Sequence, residues 1–544
     1  MTLTERLVRW VDAVVFDLGR QMRWTFLPPL MIYFAAGFSG LTMIVGTFFV
    51  KEYLDLSAAY LAGLAFWAGL PWALKMPLGH LVDIIWRWKW LLVYVGAGLI
   101  GLSVFIMYLL LTRTEAMTAI MPMGAWYVTS YILAPCGLVI QDAVADAMSV
   151  EAVPRMDADG TPIPQETARA LHTTMQTLGR FALISGTVAV AALNIYMFAG
   201  IEALDPEAKR ATYALIYLAA LTIPLVSVSG VLLAAWQKHR LRRGLRTHGL
   251  SRTEADTLFE RPGEKTRPNP WYFIGGAGFV ALSLTIGLSD IPYGQEIIFA
   301  GSMAIVLLLM RQLVAVLPVA QARTLVGTAV IIFMFRATPR PGDGYTWFSI
   351  DLLAFDQQFL SVLSLITSLL TLAGMVILRP LMAHRSIVYI VVLLTLIGGV
   401  LSLPNIGLYY GVQEITAALT GGIVDARFIA ILDTAIESPL GQIAMIPMLA
   451  WIARNAPDNL KATFFAVMAS FTNLALSASS LLTKYLNQIF IVTREVRDPA
   501  SGQITTPADY SELGVLLLTV TLVTVGLPLL TVFLIQRTAL RSRD

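Results

Sequence analysis

The chain has 544 residues, 57% of them hydrophobic and only 13% charged, with a formal net charge of +3 and a mean hydropathy of +0.71. Soluble proteins carry roughly 25% charged residues, so this composition excludes an ordinary soluble globule and predicts an all-α polytopic membrane protein. Its basic residues fall in short blocks between apolar runs, the pattern of membrane loops and not of a nucleic-acid surface.

Residues 1–25 open the chain. Leu3, Leu7, Val11, Val14 and Leu18 recur at helical spacing among seven charged residues ending at Arg23. That pattern predicts an amphipathic segment on the cytoplasmic membrane face and no cleavable signal peptide. Apolar runs follow at Phe26–Val50, Leu56–Leu78, Trp90–Leu111, Ala119–Met148, Ala168–Ala199 and Ala211–Trp236, six spans over residues 26–236. Residues 237–270 then carry nine Lys/Arg against four Asp/Glu with no apolar periodicity, which reads as a basic cytoplasmic linker.

Two shorter runs, Trp271–Leu288 and Ile291–Met310, flank the turn-like Ser289-Asp-Ile-Pro-Tyr-Gly294 and predict an inserted hairpin over residues 271–313. Both are near the lower length limit for a span, so a hairpin only partly inserted stays open. Runs at Thr324–Ala337, Phe359–Leu378, Ile387–Leu403, Ile429–Ile452, Ala462–Leu482 and Leu513–Ile535 fill residues 314–536, before a cytoplasmic tail over 537–544. The total is about 14 spans. Arg87/Lys89, the linker, Arg379/Arg385, Arg454/Lys461 and Arg537/Arg541/Arg543 fall on one side, which places both termini in the cytoplasm by the positive-inside bias. The single Cys136 lies in an apolar run and reads as a packing residue.

Charges inside these runs carry the chemistry. Asp142 and Asp146, in Gln141-Asp-Ala-Val-Ala-Asp146, are one helical turn apart and share a face. Carboxylates in such a place are costly, and the pair is a candidate for proton coupling or gating. Lys75, in Pro71-Trp-Ala-Leu-Lys75-Met-Pro77, can snorkel to the interface, pair with Asp142 or Asp146, or meet an anionic substrate. Arg169, Thr173, Gln176 and Arg180 form a polar stripe, and Arg180 requires a carboxylate, a phosphate or a substrate anion. An Asp146–Arg180 pair competes with substrate contact there. In the second half, Arg336 ends a run before Pro339-Arg-Pro341, Asp433 and Glu437 repeat the i, i+4 acid pair, and Ser470, Thr472 and Asn473 offer neutral hydrogen-bonding groups.

No phosphate-binding Gly-Lys-Ser/Thr loop, no His-Glu-x-x-His and no Cys/His cluster is present in the sequence. An ATP-driven pump, a metalloprotease or a lipid-modifying enzyme therefore has no visible machinery, and neither metal nor cofactor is expected.

Gly79, Asp83, Arg87 and Lys89, between the second and third spans, resemble the loop motif of the major facilitator superfamily, which makes them gate candidates. Pro71–Gly79 with Asp83, Gln141–Glu151, Ala337–Pro341 with Phe348 and Leu353–Phe355, and Pro457 with Phe465-Ala466, Ser470 and Asn473 together resemble the folate–biopterin transporter family. Met76 interrupts what is often a Lys-Pro pair there, and Lys461 stands where an acid is common. The resemblance implies two six-helix bundles with the hairpin outside them. It also implies alternating access and a small anionic substrate of folate or pterin type, coupled to protons, in a monomeric protein of a bacterial inner membrane. On that reading Lys75, Arg180, Arg336, Gln176 and Asn473 attract the substrate, and Asp146, Asp142, Asp433 and Glu437 carry the proton. The inserted hairpin and Gln141-Asp142 are also similar to muropeptide permeases. Some relatives in the superfamily act as assembly factors for pigment–protein complexes, which keeps a non-transporting role open.

Overall fold

The computed structural model describes residues 22–54, 56–153, 164–247, 270–287, 289, 291–315, 317–377, 386–440, 461–497 and 503–541. The predicted amphipathic segment and most of the basic linker lie outside them. The described residues are helical apart from one small antiparallel hairpin, β1 (Val496–Arg497) with β2 (Ile504–Thr506). Among the described residues, ten helical stretches are long and apolar enough to cross a membrane.

The first half of the chain contains α1 (Leu27–Phe38), α2 (Met43–Tyr53), α3 (Ala58–Gly69), α4 (Lys75–Ile84), α5 (Trp90–Thr112), α6 (Met123–Ala152), α7 (Gln165–Met197), α8 (Pro206–Ala220) and α9 (Thr222–Thr247). Several apolar runs that read as continuous are broken. A 3-10 turn at Ser39–Thr42 separates α1 from α2, and another at Leu70–Leu74 separates α3 from α4. Pro71 explains the second, because it has no N–H to donate and its ring crowds the preceding turn. The break brings Lys75 to the first position of α4, in the middle of its run. The helix α4 continues to Ile84, so Gly79 and Asp83 belong to a helix and the turn is confined to Ile85–Lys89. Residues 237–247, expected as linker, continue α9; Gln, Lys, Arg and Leu are good helix formers.

Close helix contacts depend on missing side chains. A Cβ added at Gly186 in α7 would lie 2.3 Å from the Phe34 carbonyl oxygen of α1, and one added at Gly137 in α6 would lie 2.5 Å from that of Gly96 in α5. Backbones at this distance lower the cost of packing helices in an apolar medium, where dispersion and interhelical hydrogen bonds hold the structure. Neutral polar groups provide those bonds: Gln141 donates to the Val93 carbonyl at 3.1 Å and accepts from Ser227 at 3.0 Å, and Ser103 and Ser130 meet at 3.0 Å.

The second half contains α10 (Pro270–Gly287), α11 (Gly294–Val314), α12 (Val319–Arg336), α13 (Asp343–Asp351), α14 (Gln357–Ile377), α15 (Ile387–Leu401), α16 (Ala426–Glu437), α17 (Lys461–Ile489) and α18 (Leu513–Gln536). Here α10 and α11 are the expected inserted pair, with α10 among the shorter apolar helices. The run Ile429–Ile452 is described only to Leu440. Between α12 and α13 the chain leaves the helix at Ala337–Gly342, where two prolines and a left-handed Gly342 (φ 80°) prevent continuation.

Two faces are defined by ion pairs. On the linker face, Lys89 meets Glu151 at 2.6 Å and Lys238 meets the same carboxylate. On the opposite, distal face, Lys51 at the end of α2 meets Asp351 at the end of α13 at 2.5 Å.

Candidate functional site

Lys75 sits against both aspartates of α6. Its ammonium is 2.6 Å from Asp142 Oδ2 and 2.8 Å from Asp146 Oδ2. The Tyr33 hydroxyl of α1 donates to the other oxygen of Asp146 at 2.7 Å. One turn of α6 between the acids and one helix break before Lys75 produce this three-charge cluster. The Asp142 side chain is 17% exposed and that of Asp146 is 46% exposed.

Arg180 of α7 makes no ion pair among the described residues; of the two partners weighed for it, Asp146 is engaged by Lys75 instead. Arg180 is near enough to act electrostatically on both aspartates and on Arg336. Gly179 beside it brings α7 onto the ring of Tyr33, which a Cβ would approach to 3.0 Å. Counted together, Lys75 and Arg180 balance Asp142 and Asp146. Among the described residues, no acid pairs with the next two charges. Arg336 ends α12, its Nε is buried without a hydrogen-bond partner, and Arg340 lies within electrostatic range of it. Neither arginine has an ion-pair partner among the described residues. Arg336 of the second half thus lies within electrostatic range of both Arg340 and Arg180 of the first half, beside a balanced cluster.

The remaining candidates fall elsewhere. Asp433 is buried and accepts from Asn405 at 3.2 Å, Asn405 accepts from the Tyr345 hydroxyl at 2.6 Å, and Glu437 is exposed. Among the described residues no lysine pairs with these acids, so the Asp142–Asp146 arrangement is not repeated there. Asn473 is half-buried in α17, and the side chains of Gln176 and Asp83 lie outside the description. Of the gate residues, Arg87 is exposed, Gly79 lies in α4 with open space at its Cβ, and Lys89 packs over the Trp86 ring at 3.4 Å and pairs with Glu151. Burial disfavours the Glu151 charge, yet Lys89 and Lys238 outweigh it and hold this carboxyl below the ordinary glutamate range. Both of those ion pairs stay within the first half of the chain.

Sequence reasoning missed the distal closure. Arg494, 2% exposed, donates from its guanidinium to the carbonyls of Val50 at 2.8 Å, Lys51 and Leu54, and stands over the Trp347 ring at 5.1 Å. Those carbonyls cluster at the C-terminal end of α2, where Val50 also accepts from the Leu54 N–H at 3.1 Å, and a cation from the loop before β1 caps the negative end of the helix. Tyr510 donates to Asp351 at 2.6 Å, Tyr213 to Glu52 at 3.2 Å, and Gln357 to Tyr213 at 3.1 Å. Gln357–Tyr213, Lys51–Asp351 and the Arg494 contacts cross between the two halves at the distal face, and the other two bonds brace their partners within each half. A cavity of about 320 Å³ lies beside Arg494 and Trp347, away from the charged cluster.

Residues 172–543 match the model of the BT1 family. The folate-biopterin transporter of Synechocystis sp. is 23% identical over 86% of this chain and 76% of its own length. A putative folate transporter 2 of Plasmodium berghei is 25% identical over 30% of this chain and 36% of its own. Among solved structures, a POT family transporter bound to a thioalcohol-conjugated peptide superposes with a TM-score of 0.58 at 11% identity, covering 94% of this chain and 96% of its own. The nucleoside transporter NupG superposes with a TM-score of 0.52 at 10% identity, covering 93% and 98%. The family match spans most of the chain, the fold neighbours are transporters of the major facilitator type, and the protein belongs to the BT1 family as an integral membrane transporter, not an enzyme.

Proposed function

We propose that the protein is a proton-coupled secondary transporter of a small organic anion of folate or pterin type. Two six-helix bundles, with α10–α11 outside them, would rock about a site between the halves. The observation that carries this reading is Arg336, its Nε buried without a partner, within electrostatic range of Arg180 from the other half and of Arg340, three cations without an ion-pair partner among the described residues. A guanidinium left without an anion in a low-dielectric setting is costly, and a substrate carboxylate bound bidentately would relieve that cost. The balanced Lys75–Asp142–Asp146 cluster beside it supplies the titratable part. Protonating Asp146 would release Lys75 toward Asp142 alone and change the local charge by one unit, which is the coupling event. Cytoplasmic termini, a bacterial inner membrane and a monomeric state complete the reading, supported by the side on which the basic blocks fall.

Uptake of labelled folates and pterins into proteoliposomes under an imposed pH gradient tests it. Uptake driven by the gradient is expected in the native protein, and Asp146→Asn should abolish that drive while leaving counterflow exchange. Gradient-driven uptake that persists in Asp146→Asn would remove the proton role. Absence of any folate or pterin uptake would remove the substrate class.

A further inference from the structure

The pair α10–α11 packs across the seam between the two halves of the chain. On the first half, Phe273 meets the His80 ring at 5.4 Å, and Cβ atoms added at Gly276 and Gly287 would reach Pro77 at 3.1 Å and Trp67 at 2.8 Å. On the second half, Glu296 at the start of α11 accepts from Lys484 at 3.1 Å and from the Tyr485 hydroxyl at 2.5 Å. Phe279 and Ile298 share one apolar cluster with Phe66 and Leu70 of the first half and Leu474 and Leu481 of α17.

One side chain holds both halves at once. The Gln295 amide donates to the Gly63 carbonyl of α3 at 3.1 Å and accepts from Lys484 of α17 at 3.0 Å. Gly63 lies in the first turns of α3 and Lys484 in the last turns of α17, so this clip sits toward the distal face. Separation of α3 from α17 there requires Gln295 to release one partner.

We propose that the inserted hairpin is a strap across the α3–α17 seam that favours the state closed at the distal face. It works in parallel with the Arg494 cap, which ties α2 to the loop before β1. The strap rests on the alternating-access reading but not on any substrate. Apolar contacts along both helices anchor the hairpin, and the polar clip at Gln295–Glu296 sets how readily the seam parts.

The test is a distance measurement that needs no ligand. Cys136 is replaced by serine, and spin labels are placed at Tyr196 and Leu419, which are 78% and 81% exposed, one in each half and neither touching the hairpin. The full chain is reconstituted in nanodiscs with and without the substitutions Gln295→Ala and Glu296→Ala. Loss of the clip's hydrogen bonds should raise the long-distance, distal-open population about tenfold. Arg494→Ala, which removes the other cap, is the comparison and should also open the distal face. If Arg494→Ala lengthens the distance and the clip variant leaves it unchanged, the strap is wrong while alternating access stands. If neither variant changes it, the strap falls together with the alternating-access reading. A clip variant that opens the distal face in a protein that fails to take up folates upholds the strap and overturns only the substrate class.

Discussion

Replacing Lys75 with methionine keeps the length of the side chain and removes the ammonium that serves both Asp142 and Asp146. Two carboxylates one turn apart then face each other with only the more distant Arg180 to offset them, and Asp142 is only 17% exposed. Removing one partner of a buried pair costs about 3–5 kcal/mol. Here the loss has a ceiling, because one carboxylate can take up a proton. For a carboxyl that ordinarily titrates near 4, that uptake costs about 4 kcal/mol at pH 7, and each unit of acidification lowers the ceiling by about 1.4 kcal/mol. The openness of Asp146, 46%, lets solvent screen part of the repulsion, which brings the expected loss to about 2–3 kcal/mol at neutral pH. Its sign with pH follows. The folded variant holds a proton that the unfolded chain has released, so its stability falls as pH rises. Thermal unfolding of Lys75→Met and native protein at pH 5, 6.5 and 8 should show the largest gap at pH 8 and little at pH 5. Adding Asp142→Asn should restore at least half of the gap at pH 8. An equal loss at every pH, with no recovery in the double variant, would mean that Lys75 contributes packing and not charge.

Other outcomes follow from the same geometry. Arg336→Met removes a cation whose Nε is buried without a partner; thermal unfolding should show it unchanged or stabilised by about 1 kcal/mol, while substrate uptake is lost. Glu151 is held below the ordinary glutamate range by Lys89 and Lys238 despite its burial. Its contribution is therefore present above the unfolded value of about 4.3 and lost as pH falls through the lower folded value. Glu151→Gln should flatten the acid side of the stability profile below about pH 4.5, as read by the unfolding midpoint against pH. Gly186→Ala places a methyl 2.3 Å from the Phe34 carbonyl and should cost about 1–3 kcal/mol, whereas Gly398→Ala, with open space at its Cβ, should leave the midpoint unchanged.

The helices and the acid pair were legible because an apolar run of span length and a charge within it are rare events in sequence. Lys75 could be paired with Asp142 or Asp146 for the same reason: a lysine in such a run must find a carboxylate or reach water. The breaks at Ser39–Thr42 and Leu70–Leu74 were not seen. Apolar periodicity reports what a helix faces, not whether its hydrogen bonds are continuous. Tyr33, which orients Asp146, gave no signal because a tyrosine in an apolar run is ordinary until its hydroxyl has a partner. Arg340 was read only as part of a proline-rich stretch; its place beside Arg336 depends on the turn that the prolines and Gly342 make. Arg494 was beyond reach, since its partners are backbone carbonyls more than 400 residues away in the chain, and carbonyls carry no residue identity. Asp433–Glu437 echoes the spacing of Asp142–Asp146 at a different depth in its run, and spacing alone could not show that, among the described residues, no lysine pairs with it.

On the proposed reading, one anion sits between Arg180 and Arg336, contacted from both halves of the chain. Equilibrium binding of a labelled folate to purified native protein, to Arg180→Met, to Arg336→Met and to the double variant tests it most directly. Each single change should weaken binding at least tenfold, about 1.4 kcal/mol. The double variant should fall short of the sum of the two, because both arginines act on one ligand group. Unchanged affinity in both single variants, or losses that add independently, would contradict a shared anion site and return the three guanidinium groups to an unexplained structural role.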